Sequence, residues 1–278
     1  MISFGRLLNH KGTLMAGHEI VHVVMAPSHT LEANLVKKVA AIVGKDLYGT
    51  RLLLAGEIPR IIAHYDTIQM AELTAQKLQA LGLVVFLCQD SELRQPSQTY
   101  RAHTLRFEER AIQFWDKGGQ AKIMESRNTF LVIKGRMQTY TETEVITTRR
   151  KFNWPATVLT GGIPIWRTVE EETKDKSIQN ESFVRLYDRM SAEPGVEILQ
   201  YDLDYSFLGV KMVSSSLGNL NTVATKIRDT FPKVVFDDRL MKPFGVDISS
   251  ATPQENIEIN CKLIYLYHRV MSNLDSPV

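Results

Sequence analysis

The sequence predicts an α+β protein: a small α/β sandwich, then an antiparallel, barrel-like β domain, then C-terminal helices. Three observations predict it. Up to residue 92, short β-branched runs alternate with segments whose apolar residues recur every three or four positions. Past QPSQTY at 95–100, the pattern changes to short β-rich runs divided by turn residues. Beyond Ser214, helical spacing returns. The expected divisions are a domain over 17–92, a β domain over 100–240 with an inserted loop over 140–180, and a C-terminal helix over 250–274. With 278 residues and 44% hydrophobic content, the chain can supply a core to one large or two ordinary domains.

In order along the chain, EIVHVVMA at 19–26 is β-branched and closed by Pro27, which predicts a buried strand. Leu31, Leu35, Val39 and Ile42 then fall at helical spacing, with Ser28 or Thr30 to cap the start and Gly44 to end it. DLYGTRLLLAG fits either a short helix or a strand. IPRIIAHY predicts a strand, Asp66 to Gly82 a capped helix, and LVVFLCQ another strand. RAHTLRFEER, AIQFWDKGG, QAKIMESRN and TFLVIKGRMQTYTETEVITT have the spacing of an antiparallel meander. RRKFNWPATVLTGGIPIWRTVEEETKDKSIQ predicts a long loop or an extended hairpin. FVRLYDRM, VEILQYDLDYSF and GVKMV predict strands, and DDRL at 237–240 a turn. Leu217, Leu220, Ala224, Ile227 and Phe231 mark one helical face closed by Pro232. Thr252, Pro253 and Glu255 open a last helix.

The run VKKVAAIVGKDLYGTRLLLAGEIPRIIAHYDTIQMAELTAQKLQALGLVVFL resembles the C-terminal domain of the ribosomal stalk protein, a fold shared with the Clp protease adaptor. The likeness lies in the helix VKKVAAIVG, the segment from Leu47 to Gly56, Pro59, and the A-E-x-x-x-x-x-L-x-x-L-G-x-x-V pattern ending at Val85. It implies a docking module that contacts translation factors through basic residues of its first two helices. Lys37 and Lys38 keep part of that charge, while Ala40 and Ala41 stand where a further arginine is expected. The strands after residue 100, capped by a late amphipathic helix, form a layout similar to bacterial pleckstrin-homology-like modules. That likeness implies binding, not catalysis.

Charge and cysteine content narrow the function classes. Thirty-three basic residues against 31 acidic give no general case for a nucleic-acid partner. Cys88 and Cys261 belong to no C-x-x-C pair, which fits a reduced, cytoplasmic compartment. The first 30 residues interleave charges with short apolar runs and so lack the apolar centre of a signal peptide, and no run is long enough to span a membrane.

HEIVH at 18–22 spells the H-E-x-x-H signature of zinc peptidases, in which His18 and His22 would hold the metal and Glu19 would serve as base. That chemistry needs the two histidines one helical turn apart, about 5.4 Å of rise. On the strand the surrounding valines predict, they stand some 13 Å apart, at about 3.3 Å per residue. Arg149, Arg150, Lys151, Phe152, Trp154, Trp166 and Arg167 form a basic and aromatic cluster suited to a protein partner or an anionic membrane surface. The acidic run at 170–176 is a candidate partner for its charges. Asp202 with Asp204 reads as the solvated face of a strand and Asp237 with Asp238 as part of a turn, in preference to metal ligands or an acid/base pair, and Gly161-Gly162 lacks the Lys-Ser/Thr of a phosphate loop. The leading expectation is a non-enzymatic binding or adaptor protein, without a cofactor, that acts through protein contacts at Lys37, Lys38 and the 149–167 segment. The alternatives are a zinc metallopeptidase and a β domain that binds anionic lipid.

Overall fold

A computed structural model describes residues 19–28, 32–96, 98–152, 166–242 and 253–274, with the backbone path alone over 138–152, 166–179, 253–255 and 274. His18 and Trp154 lie outside the described residues. The chain divides into two compact units, one of residues 1–95 with 273–278 and one of residues 96–272.

In the first unit the elements run β1 (Val21–Met25), α1 (Ala33–Val43), α2 (Leu47–Leu54), β2 (Arg60–Tyr65), α3 (Ile68–Gln79), β3 (Val85–Gln89) and α4 (Asp90–Arg94). β1 lies in the middle of a three-stranded sheet, antiparallel to β2 and β3. Strand alternation sends Val21, Val23 and Met25 to the face where Val36 and Val39 of α1, Leu54 of α2 and Ala71, Ala75 and Leu78 of α3 pack. The ambiguous DLYGTRLLLAG is helical because the Asp46 carboxylate accepts the Gly49 N–H and so caps α2. α1 ends as its sequence predicts, at Gly44, whose φ of 68° is left-handed.

The second unit contains β4 (Arg101–Ala102), β5 (Thr104–Phe107), β6 (Ala111–Trp115), β7 (Ala121–Glu125), β8 (Thr129–Phe152), β9 (Trp166–Asp188) and β10 (Pro194–Leu199). A 3-10 turn (Ser206–Lys211), α5 (Ser216–Thr230), β11 (Val235–Leu240) and α6 (Pro253–Leu274) follow. Strands β5-β6-β7 make one antiparallel meander, and a five-stranded sheet has the order β11-β8-β9-β10-β4. Phe114, Val132, Val184, Leu186, Val196 and Ile198 pack against Leu220, Val223 and Ile227 of α5.

Six expectations are corrected here. Both sheets are open, so the barrel-like arrangement does not form, and with it goes the closed shape behind the pleckstrin-homology comparison. The larger sheet is mixed, because β11 joins β8 and β4 joins β10 in parallel. Of the two alternatives for the 140–180 segment, the described parts follow the extended hairpin and not the loop: residues 140–152 and 166–180 are paired strand. YDLDY is turn and not strand, GVKMV leads out of the 3-10 turn, and DDRL is strand and not turn. Leu203 and Tyr205 fold back onto the α5 core, so the spacing that imitated strand alternation is that of a turn with two buried anchors.

Candidate functional site

β8 and β9 are paired along their whole length, from Thr129 opposite Asp188 to Phe152 opposite Trp166. Neighbouring strands flank only the first part. β11 ends against β8 at Gly135, and β10 ends against β9 at Phe183. From Arg136 opposite Ser182 outward, the two strands continue as a ribbon with no other strand on either edge among the described residues. At about 3.4 Å per residue the ribbon extends roughly 55 Å. Each outer edge of such a ribbon carries backbone donors and acceptors able to pair with another strand.

The basic and aromatic cluster gathers at the far end of this arm. Register sets Arg149 opposite Val169, Arg150 opposite Thr168, Lys151 opposite Arg167, and Phe152 opposite Trp166. The acidic residues Glu170, Glu171 and Glu172 stand opposite Thr148, Thr147 and Ile146, one step nearer the sheet, and not opposite the basic triplet. Lys37 and Lys38 are exposed on α1, in the other unit.

The root of the arm is built on buried charge. Arg185 lies on β9 within the apolar run FVRLY and is 2% exposed. Its Nε donates to Glu197 Oε1 of β10 at 2.9 Å, its Nη1 to Glu258 Oε2 of α6 at 3.0 Å, and its Nη2 to Glu258 Oε1 at 2.5 Å. Arg101 of β4 donates from Nε to the other Glu197 oxygen at 3.2 Å. Burial works against the Arg185 charge, but Cys261, Tyr187, Glu197 and Glu258 around it more than offset this and raise its pKa well above the ordinary arginine value. A cleft of about 350 Å³ opens beside the network, lined by Arg101, Arg185, Glu197 and Glu258 with Gln98, Thr99, Met137 and Leu199. Every nitrogen of the Arg185 fork faces a carboxylate, so the arrangement serves to lock β9, β10 and α6 together at the point where the arm leaves the sheet.

A second ionic cluster holds α6 to the opposite edge of that sheet. Asp237 of β11, expected as a turn residue, is 4% exposed. It accepts from His268 Nε2 at 2.8 Å and from Arg239, whose guanidinium stands over the Tyr267 ring at 5.0 Å. Burial pushes the Asp237 pKa up, and the hydrogen bonds from His268 and Arg239 outweigh it, holding the carboxyl well below the usual carboxylate range. Asp202 meets Lys117 at 3.1 Å, while Asp204 caps the start of the 3-10 turn through Ser206.

His22 of the HEIVH motif lies on β1 between His64 of β2 and Cys88 of β3, and not on a helix. Its Nε2 is 2.9 Å from Asp90 Oδ1, its ring is edge-on to His64, and its buried Nδ1 has no hydrogen-bond partner among the described residues. Glu19 accepts a hydrogen bond from Ser91. Among the described residues no group of three or more His, Cys, Asp or Glu side chains is arranged to hold a metal, and no helix is long and apolar enough to cross a membrane.

Arg185, Glu197, Glu258 and the Asp237–His268 pair escape a reading by motif. One signal does mark two of them, Arg185 and Glu197: an arginine inside FVRLY, or an acid inside GVEIL, falls in a run apolar enough to be covered on both faces, so its charge requires a buried counter-charge. No protein-family model, curated protein or solved structure matches the chain.

Proposed function

We propose that this chain is a non-enzymatic binding or adaptor protein, acting through protein contacts made by the β8–β9 arm. The observation that carries this reading is the ribbon beyond Gly135 and Phe183, which has strand on neither outer edge among the described residues. A two-stranded hairpin is marginal in water by itself, and an extended edge is the element to which a partner strand adds. The cluster of Arg149, Arg150, Lys151 and Trp166 on its far end supplies charge and aromatic surface of the kind enriched in protein interfaces. The β-α-α-β-α-β order from β1 to β3, ahead of the short α4, supports a likeness of the first unit to the stalk-protein docking domain, with Lys37 and Lys38 displayed on α1. Two buried, unbridged cysteines support a reducing, cytoplasmic setting.

The test is affinity capture with the full chain and with a version in which residues 140–178 are replaced by a two-residue turn. The proposal expects partners held by the full chain to be lost from the trimmed one. Identical partner sets would remove the arm from the account.

A further inference from the structure

We propose that the arm's partner is the arm of a second copy of this chain, joined antiparallel along the outer edges of the two β8 strands and centred on Ile146. This rests on the arm being a binding element, and it names what the arm binds.

The inference comes from register. When two identical strands pair antiparallel about a two-fold axis, each opposed pair must share a sheet face, so odd residues meet odd and even meet even. The pairing is therefore centred on a residue of β8, and the centres differ in the residues they oppose. With Ile146 opposite its own copy, Glu142 meets Arg150, Tyr140 meets Phe152, and Glu144 meets Thr148. Opposite charges meet, aromatics meet, β-branched residues meet, and no like charges oppose each other. Centring on Val145 or Thr148 pairs no opposite charges, and centring on Thr147 matches Glu144 with Arg150 but sets Glu142 against Phe152.

The observed β8–β9 register extends the match across four strands. Trp166 lies opposite Phe152, and Ile178 opposite Tyr140. The pairing therefore completes a row reading Trp166, Phe152, then Tyr140 and Ile178 of the second copy. The next row reads Thr168, Arg150, then Glu142 and Lys176 of the second copy, with opposite charges side by side. The β9 edge is less suitable. Centred on Thr173 it brings Glu170 to Lys176 and Glu172 to Lys174, but it also sets Glu171 against Asp175 twice.

Two measurements on the full chain test this. Sedimentation equilibrium at tens of micromolar should give twice the 31.6 kDa of the single chain. E142R or R150E alone should weaken the dimer roughly tenfold, and the double charge swap should restore it. Paired Cα atoms about 4.5–5.5 Å apart are within disulfide reach, and Cys88 and Cys261 are buried, so a single cysteine at the centre reports the register. I146C should oxidise to a covalent dimer. T148C, some 13 Å from its own copy in this register, should not. A monomer mass, bridging by T148C in place of I146C, or bridging through T173C would overturn the inference. A monomer whose arm still captures other proteins would leave the proposed function standing. A dimer whose partner set survives arm removal would do the reverse.

Discussion

Along the same two strands, β8 and β9 pass through two environments. Near their root, Leu131, Val132, Ile133 and Phe183 to Tyr187 are buried, with β11 and β10 alongside, and the one charge among them, Arg185, is matched by Glu197 and Glu258. Beyond Gly135 and Phe183, the pairing between the strands continues unchanged while the neighbouring strands stop. The sequence changes at the same place, from TFLVIKG to TYTETEVITTRRK. Threonines and charges replace aliphatics, which keeps β propensity with fewer of the residue types that burial rewards. The difference teaches that one ribbon can be sheet interior at one end and a two-stranded extension with free outer edges at the other, which is the end the proposed function assigns to binding.

The largest effect should come from the root. Arg185→Ala removes the guanidinium that Glu258 and the nearly fully buried Glu197 share, leaving Glu197 only the long contact to the half-exposed Arg101, and should cost about 3–5 kcal/mol in urea unfolding. The matched change in the arm, Arg150→Ala, should stay within about 0.5 kcal/mol. An equal cost at both positions would erase the distinction between root and arm.

Asp237→Asn comes next, at about 1.5–3 kcal/mol, since it removes the charge that His268 and Arg239 satisfy. The folded pKa of Asp237 lies below its unfolded value, so its contribution is complete above about pH 4 and fades as pH falls through the lowered folded value. Stability measured from pH 6 down to pH 2 should therefore fall less steeply in Asp237→Asn than in the unaltered protein. Parallel acid limbs would contradict the pairing.

Gly135→Ala should cost about 1–3 kcal/mol by overpacking. A Cβ there would run into the Phe183 ring and come within 2.9 Å of the Leu240 Cβ. Gly135 stands where β11 leaves β8, so the close approach of three strands ends where the arm begins. Smallest of all should be the effect of trimming the arm itself. Replacing 140–178 by a short turn should move the unfolding free energy, measured in protein dilute enough to be monomeric, by no more than about 0.5 kcal/mol while abolishing capture.

Legibility in the sequence followed the range of the interactions. The first unit could be read because its signals are local: β-branched runs for β1 and β2, helical spacing in α1 and α3, and Gly44 at a helix end. The strands of the β5-β6-β7 meander were legible for the same reason. The mixed sheet was not, because β11 pairs with β8 across about a hundred residues and no local pattern encodes a parallel partner. YDLDY misled because Leu203 and Tyr205 are buried from a turn, and spacing alone does not separate a turn with two anchors from a strand. HEIVH was judged from its neighbours: the valines around His22 do form β1. The basic and aromatic residues at 149–167 were visible as a cluster, but their place at the end of a paired ribbon depended on a register that sequence does not specify. The ionic root was hidden for a plainer reason. Arg101, Arg185, Glu197 and Glu258 come from four elements, and where FVRLY and GVEIL do mark a charge in an apolar run, nothing local names its partner.

Amide hydrogen exchange, followed residue by residue along β8 in the intact protein, tests the central claim most directly. Amides of Leu131 to Ile133 should exchange only with global unfolding, at any protein concentration. Edge-facing amides between Thr139 and Lys151 should exchange orders of magnitude faster in dilute protein and slow as the concentration is raised and the arm finds its partner. Equal, concentration-independent protection along the whole strand would show the arm to be part of the domain fold, and would contradict the account.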